Sequence, residues 1–504
     1  MNDYGLLCII YLTFGAFFYG YDSGLTTSVI GYPRLTKVFG IGGFQFITYF
    51  GFDATLLGVL GSIYYAGLFL GGLAMLYVPN KIGRLRTIIV ASVIALGGNA
   101  MQAGAQSLPV LLVGRGIGGF AGGLVYAVCP TYASEIAPPH VRGRIGGLYA
   151  INISLAYAIT EWMGLGFSYI ESDAAWRVFF GLQVLPPLIM LIGAIWMPES
   201  PRWLIMKGRD EEALVILRRM HQTSDDDTFF MGEFNQIRAQ LRLEAEQKVN
   251  PLTVLKRPSY RKRLYIAFIL VTGQQLTGVI PLQNYQVIVY GSLGVGGKLP
   301  LVLVGIWGTV GVCSNIPGAW YFDRWGRRRV MLISLAIIIP SSILLSAFWA
   351  SFENSDNLNK TYGILAVVAM FLFLVGYSVI FNSFTFTYIP EILPTPVRAA
   401  LGGFITAWGS AFVILLVQVT PMAIEHISWK YFMIFVICTA IFAVVFYLYF
   451  PETANKTLEE VEELFGDPVA IHIEDAARQA ELDPVAYLKD HEKHTAVEKV
   501  DGIP

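Results

Sequence analysis

The sequence predicts an all-α membrane protein with about twelve transmembrane helices in two six-helix bundles. Its composition is the first observation: 55% of the 504 residues are hydrophobic and only 14% are charged, and the mean hydropathy is +0.57. Apolar runs of membrane-spanning length recur along the whole chain, and several motifs of the first half return in the second. A soluble globular protein of this size would carry more charge on its surface.

The apolar runs define the spans, which we number one to twelve in chain order. The first, at residues 4–30, is too long for a cleaved signal peptide and lacks a basic start, so we expect it to remain in the mature protein. The others are at residues 55–78, 87–105, 109–134, 145–170, 176–198, 263–291, 299–321, 330–350, 362–389, 399–422 and 429–450.

Basic residues indicate the orientation of these spans. They cluster between spans two and three, between four and five, and between eight and nine, whereas residues 106–109 between spans three and four carry no charge. By the positive-inside rule, the basic side and both termini face the cytoplasm. We expect an integral protein of the plasma membrane.

Changes in polarity predict four regions of the chain. They are an N-terminal six-helix bundle at 1–198, a cytoplasmic helical linker at 199–262, a C-terminal six-helix bundle at 263–450 and a cytoplasmic tail at 451–504. The linker mixes acidic and basic residues, with helical patterning at residues 210–220 and 234–246.

Several classes of function are disfavoured. A formal net charge of −1 and the absence of a basic stripe argue against a nucleic-acid partner. The cysteines Cys8, Cys129, Cys313 and Cys438 fall inside apolar spans without metal-ligand spacing. We find no phosphate-binding loop, metal cluster or nucleophile motif, and therefore expect no enzyme, no catalytic residue, no metal and no cofactor.

The two halves contain the same motifs. Tyr132, Glu135, Pro138, Arg142 and Gly146 recur 256 positions later as Tyr388, Glu391, Pro394, Arg398 and Gly402. Asn80, Gly83 and Arg84 recur 243 positions later as Asp323, Gly326 and Arg327, and Pro198-Glu199 recurs 253 positions later as Pro451-Glu452. Such near-equal offsets indicate a duplication with the same sense in the membrane.

The repeated motifs place opposite charges at the cytoplasmic helix ends of both halves. Charges of this kind can pair when the cytoplasmic face closes and separate when it opens, which predicts a cytoplasmic gate. The alternative is that they only anchor helix ends. The gate residues are Arg84, Glu135, Arg142, Glu199, Arg202, Asp323, Arg327, Glu391, Arg398 and Glu452.

These motifs resemble the sugar porter branch of the major facilitator superfamily, especially its fungal members, over almost the whole chain. The resemblance rests on Gly20–Gly24, Gly114-Arg115, Pro198–Leu204, Gln274–Gly278, Asp323–Arg328 and Pro451–Thr453. It implies the major facilitator fold and alternating access, in which the two bundles rock about a central site near the midplane.

Ionisable groups inside spans are costly, so Asp22, Arg115 and Glu161 each require a reason. Asp22 lies about 27 Å above Tyr4 and Arg115 about 9 Å below Pro109, so both reach one level in the outer half. Proton-coupled sugar porters carry an Asp and an Arg at these positions, which implies proton coupling; a static ion pair is the alternative. Glu161 is left open as a second proton site, a solute ligand or a boundary residue.

For the solute, the resemblance implies amide ligands and stacking aromatics. Gln274, Gln275 and Tyr285 match the family, whereas Ala150, Ile280 and Gly311 replace expected amides. We therefore expect D-glucose to be a poor substrate. The predicted solute-binding residues are Gln274, Gln275, Asn284, Tyr285, Asn152, Asn382 and Trp408.

The leading functional hypothesis is proton-coupled uptake of a sugar or a sugar-like polyhydroxy solute. One alternative is a transporter of a non-hexose solute such as quinate, a polyol or a secondary metabolite. Another is a transporter-like nutrient receptor, against which the short tail argues. The expected partners are a small-molecule solute, protons and the lipid bilayer, and we expect a monomer.

Overall fold

A computed structural model describes residues 3–30, 54–136, 142–170, 172–221, 234, 257–355, 359–393, 398–453, 461 and 464–466. Within these residues the secondary structure is helical throughout. The chain forms two compact units, Met1–Ala454 and Asn455–Pro504. All helices described below belong to the first unit. The four-region division predicted above stays a prediction.

The first half contains spans one to six. Span one is Asp3–Ile30, span two Ala54–Ala74, span three Arg84–Ala103, span four Leu108–Ile136 and span five Arg142–Phe167. Span six consists of Asp173–Gly181, a 3-10 turn at Leu182–Val184 and Leu185–Gly193. A short helix, Val78–Ile82, leads into span three.

The predicted linker begins with two helices, Pro201–Met206 and Asp210–His221. Ser200 caps the first by accepting a hydrogen bond from the backbone N–H of Trp203. Trp203, Leu204 and Leu217 form a small apolar core between the two helices. The helical pattern predicted for residues 234–246 lies outside the described residues, apart from Phe234.

The second half repeats this order. Span seven is Pro258–Gln275 followed by Val279–Ser292, span eight Leu299–Trp325, span nine Arg327–Asn354, span eleven Arg398–Ile427 and span twelve Lys430–Tyr449. Span ten consists of Lys360–Gly376, a π-helical segment at Tyr377–Phe381 and Asn382–Ile392. A π segment holds more residues per turn than an α-helix, so it changes which side chains face inward.

The predicted number of spans is confirmed. In the described part of the chain, 11 helices are long and apolar enough to cross a bilayer. Span five, with 26 residues, is also long enough to cross but is not among those 11 helices. With it, the described helices provide twelve spans.

Among the described residues, the two halves meet along several pairs of helices. Span two packs on span eleven, span five on spans eight and ten, and span one on span seven. Glycine permits the close approach: a Cβ at Gly58 would lie 2.7 Å from the carbonyl oxygen of Gln418, and a Cβ at Gly308 would lie 2.6 Å from the Cα of Ala158. We call the side that connects span six to span seven the linker side, and the opposite side the far side.

Candidate functional site

A cavity of about 110 Å³ lies between the two halves. Aromatic side chains contribute much of its wall: Tyr19, Tyr126, Tyr157, Trp307, Tyr377 and Phe386. Amides line the span-seven side and the middle of span ten: Gln274, Gln275, Gln283 and Asn382. Aromatic faces can stack on a ring while amides hydrogen-bond its hydroxyls, so this wall suits a small ring-shaped polar solute.

A break in span seven positions the glutamines. The helix stops at Gln275 and restarts at Val279, because Gly278 adopts a φ of +87°, a conformation that favours glycine. Gln274 donates from Nε2 to the hydroxyl of Tyr377 at 3.0 Å. Among the described residues, the buried Oε1 of Gln275 has no hydrogen-bond partner, which leaves an acceptor available in the cavity wall.

The π segment of span ten shapes the opposite wall. Tyr377 and Ser378 belong to it, and Asn382 follows it directly; all three line the cavity. Asn382 lies 3.5 Å from the Oδ1 of Asn315, whose Nδ2 donates to the hydroxyl of Ser154 at 2.6 Å. Because Ser154 is on span five, this hydrogen bond joins the two halves beside the cavity.

An aromatic cluster lies below the cavity, toward the linker side. The ring centroid of Phe386 in span ten lies 5.8 Å from that of Tyr126 and 5.3 Å from that of Tyr149. Tyr126 also packs on Tyr19 at 4.4 Å. Edge-to-face and tilted contacts at these distances are stabilising, so this cluster closes the cavity between spans one, four, five and ten.

Other predicted solute residues point away from the cavity. Tyr285 donates its hydroxyl to the carbonyl of Val417 at 2.6 Å, and Asn284 donates to the carbonyl of Ile280 at 3.0 Å. Trp408 is 40% exposed and donates from Nε1 to Thr272 at 2.9 Å. Asn152 is partly buried on span five and is not part of the cavity wall. Solute binding by any of the predicted residues stays a prediction.

Sequence reasoning did not single out Tyr19, Tyr126, Trp307 and Tyr377. Aromatic residues are frequent in this chain, with 26 tyrosines and 10 tryptophans, so no local pattern separates a cavity tyrosine from a core tyrosine. Only the packing of the helices does so.

Asp22 and Arg115 lie at one level between spans one and four, and both are 1% exposed. Arg115 donates from one guanidinium nitrogen to the backbone carbonyl of Asp22 at 3.4 Å, and from another to the hydroxyl of Thr26. Its guanidinium also lies 4.8 Å from the ring centroid of Tyr64. Both carboxylate oxygens of Asp22 lack a hydrogen-bond partner among the described residues. The arginine therefore approaches the backbone of Asp22 instead of its carboxylate.

Glu161 is on span five, and its side chain faces the interior of the protein, where it is 1% exposed. Its Oε1 accepts a hydrogen bond from Nε2 of Gln286 in span seven at 3.3 Å. The carboxylate thus bridges the two halves.

The linker side of the first half holds a buried charged cluster. Arg84 contacts Glu135 with Nε and Nη2, the shortest distance being 2.8 Å, and the two side chains are 6% and 8% exposed. Glu135 also accepts from the hydroxyl of Ser200 at 2.5 Å. Glu199 accepts from the backbone N–H groups of Arg84 and Leu85 at 2.9 and 3.1 Å, so it caps the N-terminus of span three.

The second half repeats this cluster. Arg327 donates to Glu391 at 3.1 Å, and Thr453 donates to the other oxygen of that carboxylate at 2.7 Å. Glu452 accepts from the backbone N–H groups of Arg327 and Arg328, both at 2.9 Å, and caps span nine. The described bonds of both clusters join residues of the same half.

Fewer contacts are described for the remaining predicted gate residues. Arg202 is partly buried on the helix Pro201–Met206. The side chains of Arg142, Asp323 and Arg398 lie outside the described part of the chain. A gating role for the ten predicted residues stays a prediction.

Comparison with known proteins identifies the family. A family sequence model described as "Sugar (and other) transporter" matches residues 7–465. The chain belongs to this sugar transporter family, a group of membrane transporters and not of enzymes.

Curated relatives of this sugar transporter family member cover nearly its full length. It is 28% identical to the MFS-type transporter criB of Aspergillus cristatus over 93% of this chain and 94% of that protein. It is 27% identical to the high-affinity glucose transporter 1 of Candida albicans, over 90% of this chain and 87% of that one. It is 26% identical to the quinate permease of Neurospora africana, over 91% and 88%.

Solved structures show the fold. The proton:xylose symporter XylE, bound to 6-bromo-6-deoxy-D-glucose, superposes with a TM-score of 0.76 at 22% identity, covering 92% of this chain and 99% of that one. An inward-open form of XylE from E. coli gives a TM-score of 0.69 at 21% identity, with 90% and 98% covered. The sugar transporter family member therefore has the twelve-helix major facilitator fold, as predicted.

Proposed function

We propose that this chain is a secondary active transporter that couples protons to the uptake of a sugar or a sugar-like polyhydroxy solute by alternating access. The observation that carries the proposal is the cavity between the halves, with amides on the span-seven side and aromatic rings around it. A site at the interface of two repeats can be exposed to either side when the repeats rock.

The cavity wall supports a hydroxylated ring as solute. The free Oε1 of Gln275 can accept a hydrogen bond from a hydroxyl, and Tyr126, Tyr377 and Trp307 provide ring faces. A site that recognises hydroxyls discriminates strongly, because an analogue leaves buried polar groups unpaired.

A non-hexose solute is the second candidate, and specific positions favour it. Gly311 lines the cavity without a side chain, and Ile280 lines it with an apolar one, at positions where an amide was expected. Several hydroxyls of a glucose-sized ring would then lack partners. We therefore rank D-glucose below a solute with fewer or differently placed hydroxyls; among the relatives, one is named a quinate permease.

Proton coupling is assigned to Asp22 and Arg115. The carboxylate oxygens of Asp22 have no hydrogen-bond partner among the described residues. The Arg115 guanidinium is close by, 3.4 Å from the backbone carbonyl oxygen of the same residue. A rearrangement that brings the guanidinium onto the carboxylate favours the ionised form, and one that withdraws it favours protonation. Because both residues belong to the first half, this rearrangement is a shift of span one against span four that accompanies the rocking of the halves, and through it a proton is taken up or released.

The linker side is assigned to the cytoplasm, with both termini, and the protein to the plasma membrane. The basic residues at the linker-side junctions support this orientation. The two charged clusters then lie on the cytoplasmic face, where they hold the ends of spans three, four, nine and ten together within each half. We assign them to the cytoplasmic gate.

Uptake by purified protein in proteoliposomes tests the proposal. Labelled hexoses, pentoses, disaccharides, polyols and quinate are supplied with an inward proton gradient, with and without a protonophore. We expect concentrative uptake of at least one of these solutes, strong loss of accumulation with the protonophore, and weak uptake of D-glucose. Uptake that is unaffected by the protonophore would contradict proton coupling. High-affinity uptake of D-glucose would contradict the ranking of solutes.

A further inference from the structure

Glu161 is a buried carboxylate at the contact between spans five and eight, near the far side. Gly308 of span eight faces it, and a Cβ at that position would collide with the Oε2 of Glu161 and with the backbone of Ala158. The carboxylate therefore fills the space that glycine leaves. The next residue, Trp162, donates from Nε1 to the hydroxyl of Thr309 at 2.9 Å, which strengthens the same contact.

The hydrogen bonds of Glu161 cross from one half to the other. Its Oε1 accepts from Gln286 at 3.3 Å, and the Oε1 of Gln286 in turn accepts from the hydroxyl of Tyr290 at 3.4 Å. No donor among the described residues bonds its buried Oε2, which lies beside the backbone of Gly308. If the group is ionised, this oxygen is a buried anion without a donor, whereas a protonated carboxyl group is neutral and needs only one acceptor for its O–H.

Within the described part of the chain, few ionisable groups surround this carboxylate. Tyr157 faces it from span five and Tyr290 from span seven. On span eight, Lys298 lies ten residues from Gly308, about 15 Å along the helix. Asp22 on span one is a further carboxylate, and Arg115 on span four contacts Asp22 and Thr26. An ionised carboxylate that is buried without a cation is costly, whereas a neutral one is tolerated.

We propose that Glu161 is a second protonation site, separate from Asp22, and that its protonation favours closure of the two halves at the far side. The proton comes from far-side water, resides on the carboxylate while spans five and eight are closed, and returns to water when the halves part and the carboxylate is hydrated. The proposal rests on the proposed function only in requiring that the halves separate.

A cysteine at Ser62 reports this closure. Ser62 of span two donates to the Oε1 of Gln418 in span eleven at 2.8 Å and is 8% exposed, so it is shielded while the far side is closed. Rigid halves that part between spans five and eight also part between spans two and eleven. Labelling of Ser62→Cys by a membrane-impermeant maleimide from the far side therefore measures opening, with the unsubstituted protein as the background.

We expect labelling of Ser62→Cys to rise as the far-side pH increases from about 5 to about 8, because loss of the proton leaves a charge that favours hydration of the carboxylate and separation of the halves. Adding Glu161→Gln, which resembles the protonated form, should keep labelling low and independent of pH. Adding Asp22→Asn instead should leave a pH-dependent component. The proposal is overturned if labelling of Ser62→Cys does not change with pH, or if Glu161→Gln retains the full change.

Two further variants serve as controls for this experiment. Glu353→Gln removes a carboxylate that accepts from Trp349 at 3.0 Å on span nine, and it should leave the pH profile unchanged. Gly308→Ala keeps Glu161 but displaces its carboxylate, so labelling should be higher at every pH; unchanged labelling would also overturn the proposal. Labelling requires no solute, so a failed solute panel does not affect the result.

Discussion

The two charged clusters on the linker side correspond bond for bond, whereas the cavity is built differently from each half. Arg84 pairs with Glu135 as Arg327 pairs with Glu391, and Glu199 caps span three as Glu452 caps span nine. In the cavity, the first half contributes mainly aromatic rings and the second half all four amides. Duplicated contacts persist where both halves need the same support, and they diverge where one solute presents a different face to each half.

Buried carboxylates add to this contrast. Among the described residues, Asp22 and Glu161 are buried inside spans of the first half, whereas the equally buried ionisable residue of span seven is a cation, Arg263. Span seven, which corresponds to span one by the repeat, has no Asp or Glu between residues 258 and 292. If the transport proposal holds, proton chemistry lies in one half and hydroxyl recognition chiefly in the other.

The largest expected effect comes from Asp22→Asn, which tests this division. One proton crossing about 100 mV supplies about 2.3 kcal/mol, or about 50-fold solute accumulation. We expect the variant to lose accumulation while keeping downhill exchange, measured by counterflow in proteoliposomes. Ser23→Ala, at the adjacent buried position, is the matched control and should still accumulate solute. Full accumulation by Asp22→Asn would show that the coupling group is elsewhere.

The variants Arg84→Ala and Arg327→Ala test whether the two linker-side clusters contribute equally to stability. Removing one partner of a buried ion pair costs about 3–5 kcal/mol, because the other charge stays buried. Glu135 is 8% exposed but Glu391 is 23% exposed, so Arg84→Ala should lower the thermal unfolding temperature more than Arg327→Ala. Detergent-solubilised protein is suitable for this measurement. The reverse order would show that exposure does not decide the cost.

The amide side of the cavity is tested by Gln275→Ala beside Asn284→Ala. An unpaired hydroxyl costs roughly 1–3 kcal/mol, so the first variant should weaken the apparent affinity for the transported solute by about 5- to 150-fold. Asn284 already donates to a carbonyl of its own helix, so its substitution should have a smaller effect. Equal effects on KM would mean that Asn284 turns into the cavity during transport.

The smallest functional effect is expected from glycosylation, which tests the assignment of the two sides. The sequon Asn359-Lys360-Thr361 precedes span ten on the far side, and the exposed Asn359 caps that helix by accepting from the backbone N–H of Thr361 at 3.1 Å. We expect a glycan there in a eukaryotic host, seen as a mass shift that Asn359→Gln removes without loss of transport. A second sequon, Asn455-Lys456-Thr457, lies in the tail that we assign to the cytoplasm, and a glycan on it instead would invert the orientation.

Much of the fold could be predicted from the sequence, because a bilayer demands apolar helices of fixed length and the repeat relates the halves. The breaks inside spans were not predictable in the same way. Gly278 signals a possible break in span seven, but the π segment at Tyr377–Phe381 has no comparable sequence signal.

The candidate site was predictable only in part. Gln274, Gln275 and Asn382 line the cavity, whereas Asn284 satisfies its amide on the carbonyl of Ile280, four residues earlier in the same helix. A sequence shows which side chains are polar but not which of them already have a partner. The charged motifs were similarly visible as residues, while their pairing within each half required the structure.

The π segment of span ten also makes that helix tolerant of a change in its length at one place. The segment holds one residue more than the same turn of α-helix would, so a one-residue deletion inside Tyr377–Phe381 can be absorbed by conversion to regular α-helix. Asn382 and Phe386 would then still face the cavity, and Glu391 would still face Arg327. A one-residue deletion in the regular helix Lys360–Gly376 has no such extra residue, and it would turn every later residue by about 100°. That deletion removes no functional side chain, yet it would disconnect the cavity and the linker-side cluster together.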